Sequence, residues 1–466
     1  MITKERTLTM SLLPRILLFS LIAMVAIGTA CTTEPSNNAN LPVITTTTPS
    51  PSPSASPATT QASVQITMPL LDALLAENAF VRELKNKANL SDGQIESLKR
   101  ASQSEINRLR ETNAEETDDN DTDAPTRAAE QLRSIVGEAK AEQVSALANE
   151  YWAKGDPAAE GAGANGIEML KGPNAVPTDT RVVVNIPAFR MDLFQDGSLV
   201  KSYKVGIGYP EFPLPLGLRK AQTVIFNPSW TPPDSPWVAK MKNAVPGETI
   251  EPGSKDNPLG PIKIPIGLPS LIHGGKSPAR IGKFASHGCV GLTNAQVKDF
   301  AMMLMRAANN EVSDTQVAQY LADKTETKTV KLGHVIPVEL RYETIVLEDG
   351  KLHIYKDVYG QDSNTEENLR RVLETHGARL EDLSEEQRQQ ALDALNAMSS
   401  KPKATASPSP SPSADKKTAR TAKMKTPQNE VVIDLGTLAQ KGYPAPVSLD
   451  EGKGSPQITQ KKKKSV

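Results

Sequence analysis

The sequence predicts a mainly β domain in the middle of the chain, with a small α-helical module before it and a partly disordered region after it. Three observations lead there. Two runs rich in β-branched and apolar residues are each split by an Asp-Gly pair, at Asp196-Gly197 and Asp349-Gly350, which is a strong hairpin signal. Apolar residues recur at helical spacing on either side of that region. Tracts of Thr, Pro, Ser and Ala at 42–60 and of Ser-Pro at 407–413 cannot bury a core and mark extended linkers.

Taken in order, residues 1–30 read as a signal peptide. Lys4, Arg6 and Arg15 form a basic region, and Ile16 to Ile27 is apolar apart from Ser20. That run is short for a spanning helix and suits an export signal. Gly28-Thr29-Ala30-Cys31 resembles a lipobox, which implies lipidation at Cys31 and a membrane anchor; ordinary cleavage and a retained anchor are the alternatives. Residues 31–65 are a Thr/Pro/Ser-rich tether. Residues 66–153 are a helical module, with Leu71, Leu74, Leu75, Val81 and Leu84, then Ile95, Leu98, Ile106 and Leu109, then Leu132, Ile135, Val136, Val144 and Leu147 as its apolar positions. A spacer or self-packing bundle is the plainer reading of it, a partner-binding module the other.

A Gly/Ala/Pro-rich linker at 154–178 leads into the β region, 179–360. Its first hairpin joins Arg190–Phe194 to Leu199–Val205, and its last joins Glu343–Leu347 to Lys351–Tyr355. Pro and Gly are frequent from Gly206 to Gly291, as in long loops on a β scaffold, and such loops carry function. One helix is predicted at Asn294 to Ala308, capped by Thr293 or Asn294. Residues 361–400 are a helical extension, and 401–466 a disordered, basic tail ending in Lys461 to Lys464.

The net charge of −1 favours no particular partner, and no nucleic-acid partner is expected. The chemistry concentrates elsewhere. The chain has only five His and two Cys, and two of those His and one Cys fall between His273 and Cys289. An exported protein meets an oxidising environment. If Cys31 carries lipid, Cys289 has no partner in its own chain and stands out as a reactive thiol; the plain alternative is a buried, inert Cys. A histidine such as His273 can take the thiol proton and later return it, the Cys-His arrangement of nucleophilic catalysis. The N–H groups of Gly288 and Cys289 can face a developing oxyanion. Ser286 and His287 can orient or polarise the site. A Zn²⁺ site is the rival reading, but His-x13-His-x-Cys lacks a familiar ligand pattern and a fourth ligand. No metal and no cofactor are expected.

These residues resemble the signature of the L,D-transpeptidase catalytic domain, also called the YkuD domain. That signature is a His-Gly followed by Ser/Thr-His-Gly-Cys, here His273-Gly274 and Ser286-His287-Gly288-Cys289. Asn227-Pro228-Ser229-Trp230-Thr231-Pro232-Pro233, Asn257-Pro258-Leu259-Gly260-Pro261, Tyr203–Gly208 and Asp357-Val358-Tyr359 are similar to further family segments. The family usually has Arg or Asn two residues after the Cys, where this chain has Gly291. The resemblance implies a β-sandwich with a short helix after the Cys motif. It implies attack of Cys289 on a peptidoglycan stem tetrapeptide, loss of D-Ala and transfer of the acyl group to an amine. That gives a 3→3 cross-link or an attached wall protein, whereas transfer to water is carboxypeptidation. His273 is implied as base and acid with the Gly274 carbonyl orienting it. His287, Gly288 and Cys289 are implied around the oxyanion, and Gly274, Gly275 and Trp230 on the substrate side. A catalytically weak, wall-binding lipoprotein on the same fold is the alternative from another class. The implied location is the cell envelope, outside the inner compartment.

Overall fold

The computed structural model describes residues 66–112, 123–154, 168–233, 238, 241–267, 270–400 and 429–453. The signal segment, Cys31, the first tether and the terminal Lys run lie outside the described residues. Among the described residues no helix is long and apolar enough to cross a membrane.

The N-terminal module is five helices: α1 (Met68–Leu75), α2 (Asn78–Lys87), α3 (Asp92–Thr112), α4 (Ala124–Val136) and α5 (Glu138–Lys154). Leu71, Phe80, Leu84, Leu98, Leu132 and Val144 form its core. The sequence between Leu132 and Leu147 reads as one helix, but it is two. Gly137 ends α4 at φ 83°, a backbone angle at which a side chain is strained. The module does not stand apart. Thr67 Oγ1 donates to the Glu211 carbonyl at 2.8 Å in a buried bond, and Leu216 packs against the helical core.

The central domain contains β1 (Arg181–Asn185), β2 (Arg190–Gln195), β3 (Ser198–Lys204), β4 (Ile207–Gly208), β5 (Gly217–Phe226), β6 (Ile262–Pro265), β7 (Leu271–His273), β8 (Phe284–Ser286) and β9 (Val290–Gly291). Then follow α6 (Asn294–Ala307), α7 (Asp314–Ala322) and β10 (Lys328–Arg341). It is mainly β, as expected. Eight strands form one mixed sheet in the order β3-β2-β1-β10-β5-β6-β7-β9. The two edges meet, because Gly206, just past β3, exchanges two backbone hydrogen bonds with Gly291 of β9 (2.9 and 2.8 Å). The sheet therefore curls around a single core that includes Val184, Leu193, Tyr203, Val224, Phe226, Ile264, Ile272, Val290 and Leu340. α6 closes one side of it through Val297, Phe300, Ala301 and Leu304. Thr293 is its N-cap and shares a capping box with Gln296.

Two boundaries differ from the sequence reading. The hairpin β11 (Ile345–Glu348) and β12 (Lys351–Tyr355) pairs with β13 (Glu430–Asp434) in a separate three-stranded sheet. Helices α8 (Glu366–Thr375) and α9 (Glu385–Met398) cover that sheet with Leu369, Leu373, Ala391 and Leu395. The hairpin and the helical extension are thus one C-terminal module. Likewise, 401–466 is not wholly a disordered tail. Beyond β13, the segment to Lys453 runs beside β3, where Ser202 N–H donates to Val447 O and Lys204 N–H to Asp450 O, both at 2.9 Å. A strand needs only a few apolar residues when its partner supplies the ladder, so Glu430–Asp434, between Lys-rich stretches, carries little local strand signal. The end of the 154–178 linker is also fixed: Asn174 is buried, donates to Ile345 O (3.1 Å) and accepts from Leu347 N–H (2.8 Å).

Candidate active site

The site forms where β7 and β9 run parallel, with Ile272 opposite Val290 and His273 opposite Gly291. Alternation along a strand separates the two faces. Ile272, Val290 and Leu292 point into the core. His273, Cys289 and Gly291 therefore share the other face, and Cys289, the residue just before β9, stands diagonally from His273 of β7. Sequence separation hides this contact, and parallel pairing creates it.

His273 is buried. Its Nδ1 lies 2.7 Å from the Gly274 carbonyl. A carbonyl only accepts, so Nδ1 carries the proton and Nε2 is left as the basic nitrogen. Burial pushes the His273 pKa down to about 3, and the nearby Lys276 charge adds to this. The ring is neutral at pH 7. Cys289 is partly exposed, yet burial of its surroundings pushes its thiol up, against smaller opposing effects from the Leu271 backbone and Lys276. The resting pair is a neutral thiol beside a neutral imidazole.

Close backbone approaches explain the glycines. A Cβ on Gly274 would meet Val297 Cγ1 at 2.8 Å, and one on Gly275, whose φ is 81°, would meet Pro258 O at 2.3 Å. The 257–261 turn is pressed against the end of β7, and Asn257 Nδ2 anchors it to Pro228 O at 2.7 Å. Asn294, considered above as a cap, instead accepts from Gly275 N–H at 2.8 Å. Gly288, at φ 90°, lies against Gly208, where a Cβ would fall 3.1 Å from Gly288 N and 2.2 Å from Phe212 O.

Ser286 is buried. It donates to the Cys289 carbonyl and accepts from Cys289 N–H at 3.1 Å. That N–H, expected to face an oxyanion, is thus engaged inside its own turn. His287 packs between Tyr209 and the edge of Phe212, with ring centroids at 5.4 and 5.0 Å. Trp230 lies in the loop after β5 with its backbone bridged to Ile250.

Several contributors escaped the sequence reading. Ser270 donates to Gly288 O at 2.8 Å in a buried bond. Tyr359 Oη donates to Gly208 O at 2.9 Å. Lys276 stands beside both reactive side chains. Lys276 carries a local signal, a cation directly after His-Gly-Gly, and Tyr359 lies in the Asp357-Val358-Tyr359 segment noted above.

The curled sheet, the parallel His and Cys strands and their glycine-lined turns define a class. Residues 179–329 match the model of the L,D-transpeptidase catalytic domain, YkuD, and this segment is a domain of that family. The match ends inside β10, but β10 lies between β1 and β5 in the sheet, so the folded domain extends at least to Arg341. Among curated relatives, the probable L,D-transpeptidase YbiS of Escherichia coli K12 is 29% identical over 119 residues, covering 25% of this chain and 39% of YbiS. The probable L,D-transpeptidase ErfK/SrfK of the same strain is 30% identical over 126 residues, covering 25% of this chain and 38% of the relative. The chain thus spans about two-fifths of the length of these relatives. Among solved structures, the catalytic domain of the E. faecium L,D-transpeptidase aligns with a TM-score of 0.23 at 17% identity, covering 36% of this chain and 99% of that one. An L,D-transpeptidase from Mycobacterium tuberculosis H37Rv aligns with a TM-score of 0.20 at 15% identity, covering 35% and 57%.

Proposed function

We propose that this chain is a peptidoglycan L,D-transpeptidase in which Cys289 is the nucleophile and His273 the general base and acid. The observation that carries the reading is the shared face of β7 and β9, which sets the thiol beside an imidazole whose Nδ1 is tied to Gly274 O. In the acylation step His273 Nε2 takes the thiol proton. The sulfur attacks the carbonyl that joins the L-centre of a diamino acid to terminal D-Ala. Gly288 N–H, with His287 nearby, faces the developing oxyanion. The C–N bond then breaks, His273 returns the proton to the departing D-Ala amine, and a thioester remains. An amine from a second stem attacks the thioester and gives its proton to His273, which restores the thiol. Gly274, Gly275 and, further out, Trp230 line the substrate side. Anchoring by lipid at Cys31 would hold the domain at an envelope membrane, with stem peptides, or an amine of a wall protein, as acceptors.

The test is incubation of the full chain with tetrapeptide-stem muropeptides, alongside intact-protein mass measurement with a carbapenem. Expected are release of D-Ala, a cross-linked dimer and a covalent adduct that Cys289→Ala loses. His273→Ala should lower the acylation rate about 10²–10⁴-fold. Absence of adduct and of turnover in the wild type would leave a wall-binding protein. Release of D-Ala without a dimer would identify a carboxypeptidase.

A further inference from the structure

Gly291 opens room on the face that bears Cys289 and His273, and Lys276 fills it. A Cβ built on Gly291 would lie 2.8 Å from Lys276 Cγ, 2.8 Å from Cε and 3.3 Å from Cδ. Residues two apart in a strand project to the same side, so the Lys276 stem runs along the reactive face. Its root is fixed, because Lys276 N–H donates to Leu292 O at 3.0 Å. Gly291 has no left-handed φ. Unlike Gly275 or Gly288, it is needed for space and not for backbone conformation. The three nearest atoms that a side chain there would meet all belong to Lys276.

We propose that Lys276, seated over Gly291, is the residue that stabilises the Cys289 thiolate in this active site. The proposal rests on Cys289 being the nucleophile, but not on which acyl donor it attacks. Lys276 is the group the others share: its charge acts on Cys289 and His273, and the Arg280 charge acts on Lys276. Burial disfavours the charged forms of Cys289, His273 and Lys276. Arg280 is engaged at 3.3 Å with Tyr209 Oη. The Lys276 ammonium acts on the two reactive groups in complementary ways, lowering the thiol and also lowering His273. It favours the thiolate and keeps the imidazolium acidic, ready to give its proton to a leaving amine. A cation arriving from the β7 side does this without any side chain at position 291.

The experiment reads the thiolate directly. The full chain with Cys31→Ser has Cys289 as its one thiol, and its alkylation by iodoacetamide is followed from pH 5 to 10. Lys276→Gln should raise the midpoint by about 1 unit and slow alkylation roughly tenfold at pH 7, while Lys276→Arg should hold the midpoint. Gly291→Leu displaces the Lys276 stem without adding charge. It should raise the midpoint as Lys276→Gln does, and add little in the Lys276→Gln background. An unmoved midpoint in a folded Lys276→Gln protein overturns the proposal, as does an equal shift from Gly291→Leu in both backgrounds. If Lys276→Gln does not fold, the Gly291→Leu and Lys276→Arg arms decide it. A Lys276-dependent midpoint without muropeptide turnover would sink the substrate reading and leave this one standing; turnover with a Lys276-independent midpoint would do the reverse.

Discussion

Two buried polar clusters sit on different strands of the same curled sheet and behave in opposite ways. In one, Arg190 on β2 pairs with Asp192 and Glu348 and donates to Pro444 O at 3.0 Å. Asp192 also accepts from Ser202 Oγ (2.6 Å) and Tyr443 Oη (3.1 Å). Burial disfavours the Arg190 charge, but Asp192 and Glu348 outweigh it and hold the guanidinium above its ordinary pKa. In the other, His273 and Cys289 are driven by burial toward their neutral forms. The first cluster pairs its charges, although burial still holds the Glu348 carboxyl above its usual range, and it stitches the C-terminal segment to the sheet. The second leaves its groups able to exchange a proton. Burial of polar groups alone does not separate a structural site from a reactive one; whether the charges are compensated does.

The comparison breaks most visibly by exchange of roles. Cys289→Ala should abolish acylation and leave thermal unfolding almost unchanged, while Arg190→Ala should do the reverse. A stability loss at Cys289, or an activity loss per folded molecule at Arg190, would erase the distinction.

The next effect concerns acid. The folded His273 pKa of about 3 lies below the ordinary 6.5. Between those values the unfolded chain binds a proton that the folded chain refuses, so stability falls as pH drops from 6.5 toward 3. The window amounts to roughly 4–5 kcal/mol at full extent. Denaturant titrations at pH 7 and pH 4 should show a shallower loss in His273→Gln than in the wild type, and parallel losses would refute the assignment.

Arg190→Ala should cost about 3–5 kcal/mol, because Asp192 and Glu348 are left buried and unpaired. Limited proteolysis should then release the 443–453 segment first. The smallest effect is expected at Thr67→Val, about 1 kcal/mol for one buried hydrogen bond. Thr67 holds the Glu211 carbonyl beside Phe212, which packs on His287. A modest fall in acylation rate should accompany that loss, and an unchanged rate would confine the helical module to a spacer role.

Legibility followed the range of the physical cause. The hairpin at Asp196-Gly197, the helix after Thr293 and the His-Gly and Ser-His-Gly-Cys segments depend on turn chemistry, capping and residue type, all local properties. The join of β11–β12 to β13 depends on pairing across 75 or more residues, such as Tyr355 with Glu430, and no local pattern specifies such a partner. The roles of Ser270 and Tyr359 are hidden for the same reason, since they consist of carbonyls brought near by the fold.

By itself, then, the sequence determined a mainly β domain, the chemistry of a Cys-His pair, and Gly291 as a position departing from the resembling family. Residue types, turn signals and periodicity act over a few positions and suffice for that. The tertiary structure decided which face Cys289 and His273 share, that the Cys289 N–H is engaged by Ser286, that the C-terminal segment lies along β3, and that Lys276 occupies the room over Gly291. Each of these follows from strand register and packing, where residues distant in the chain set one another's space and charge.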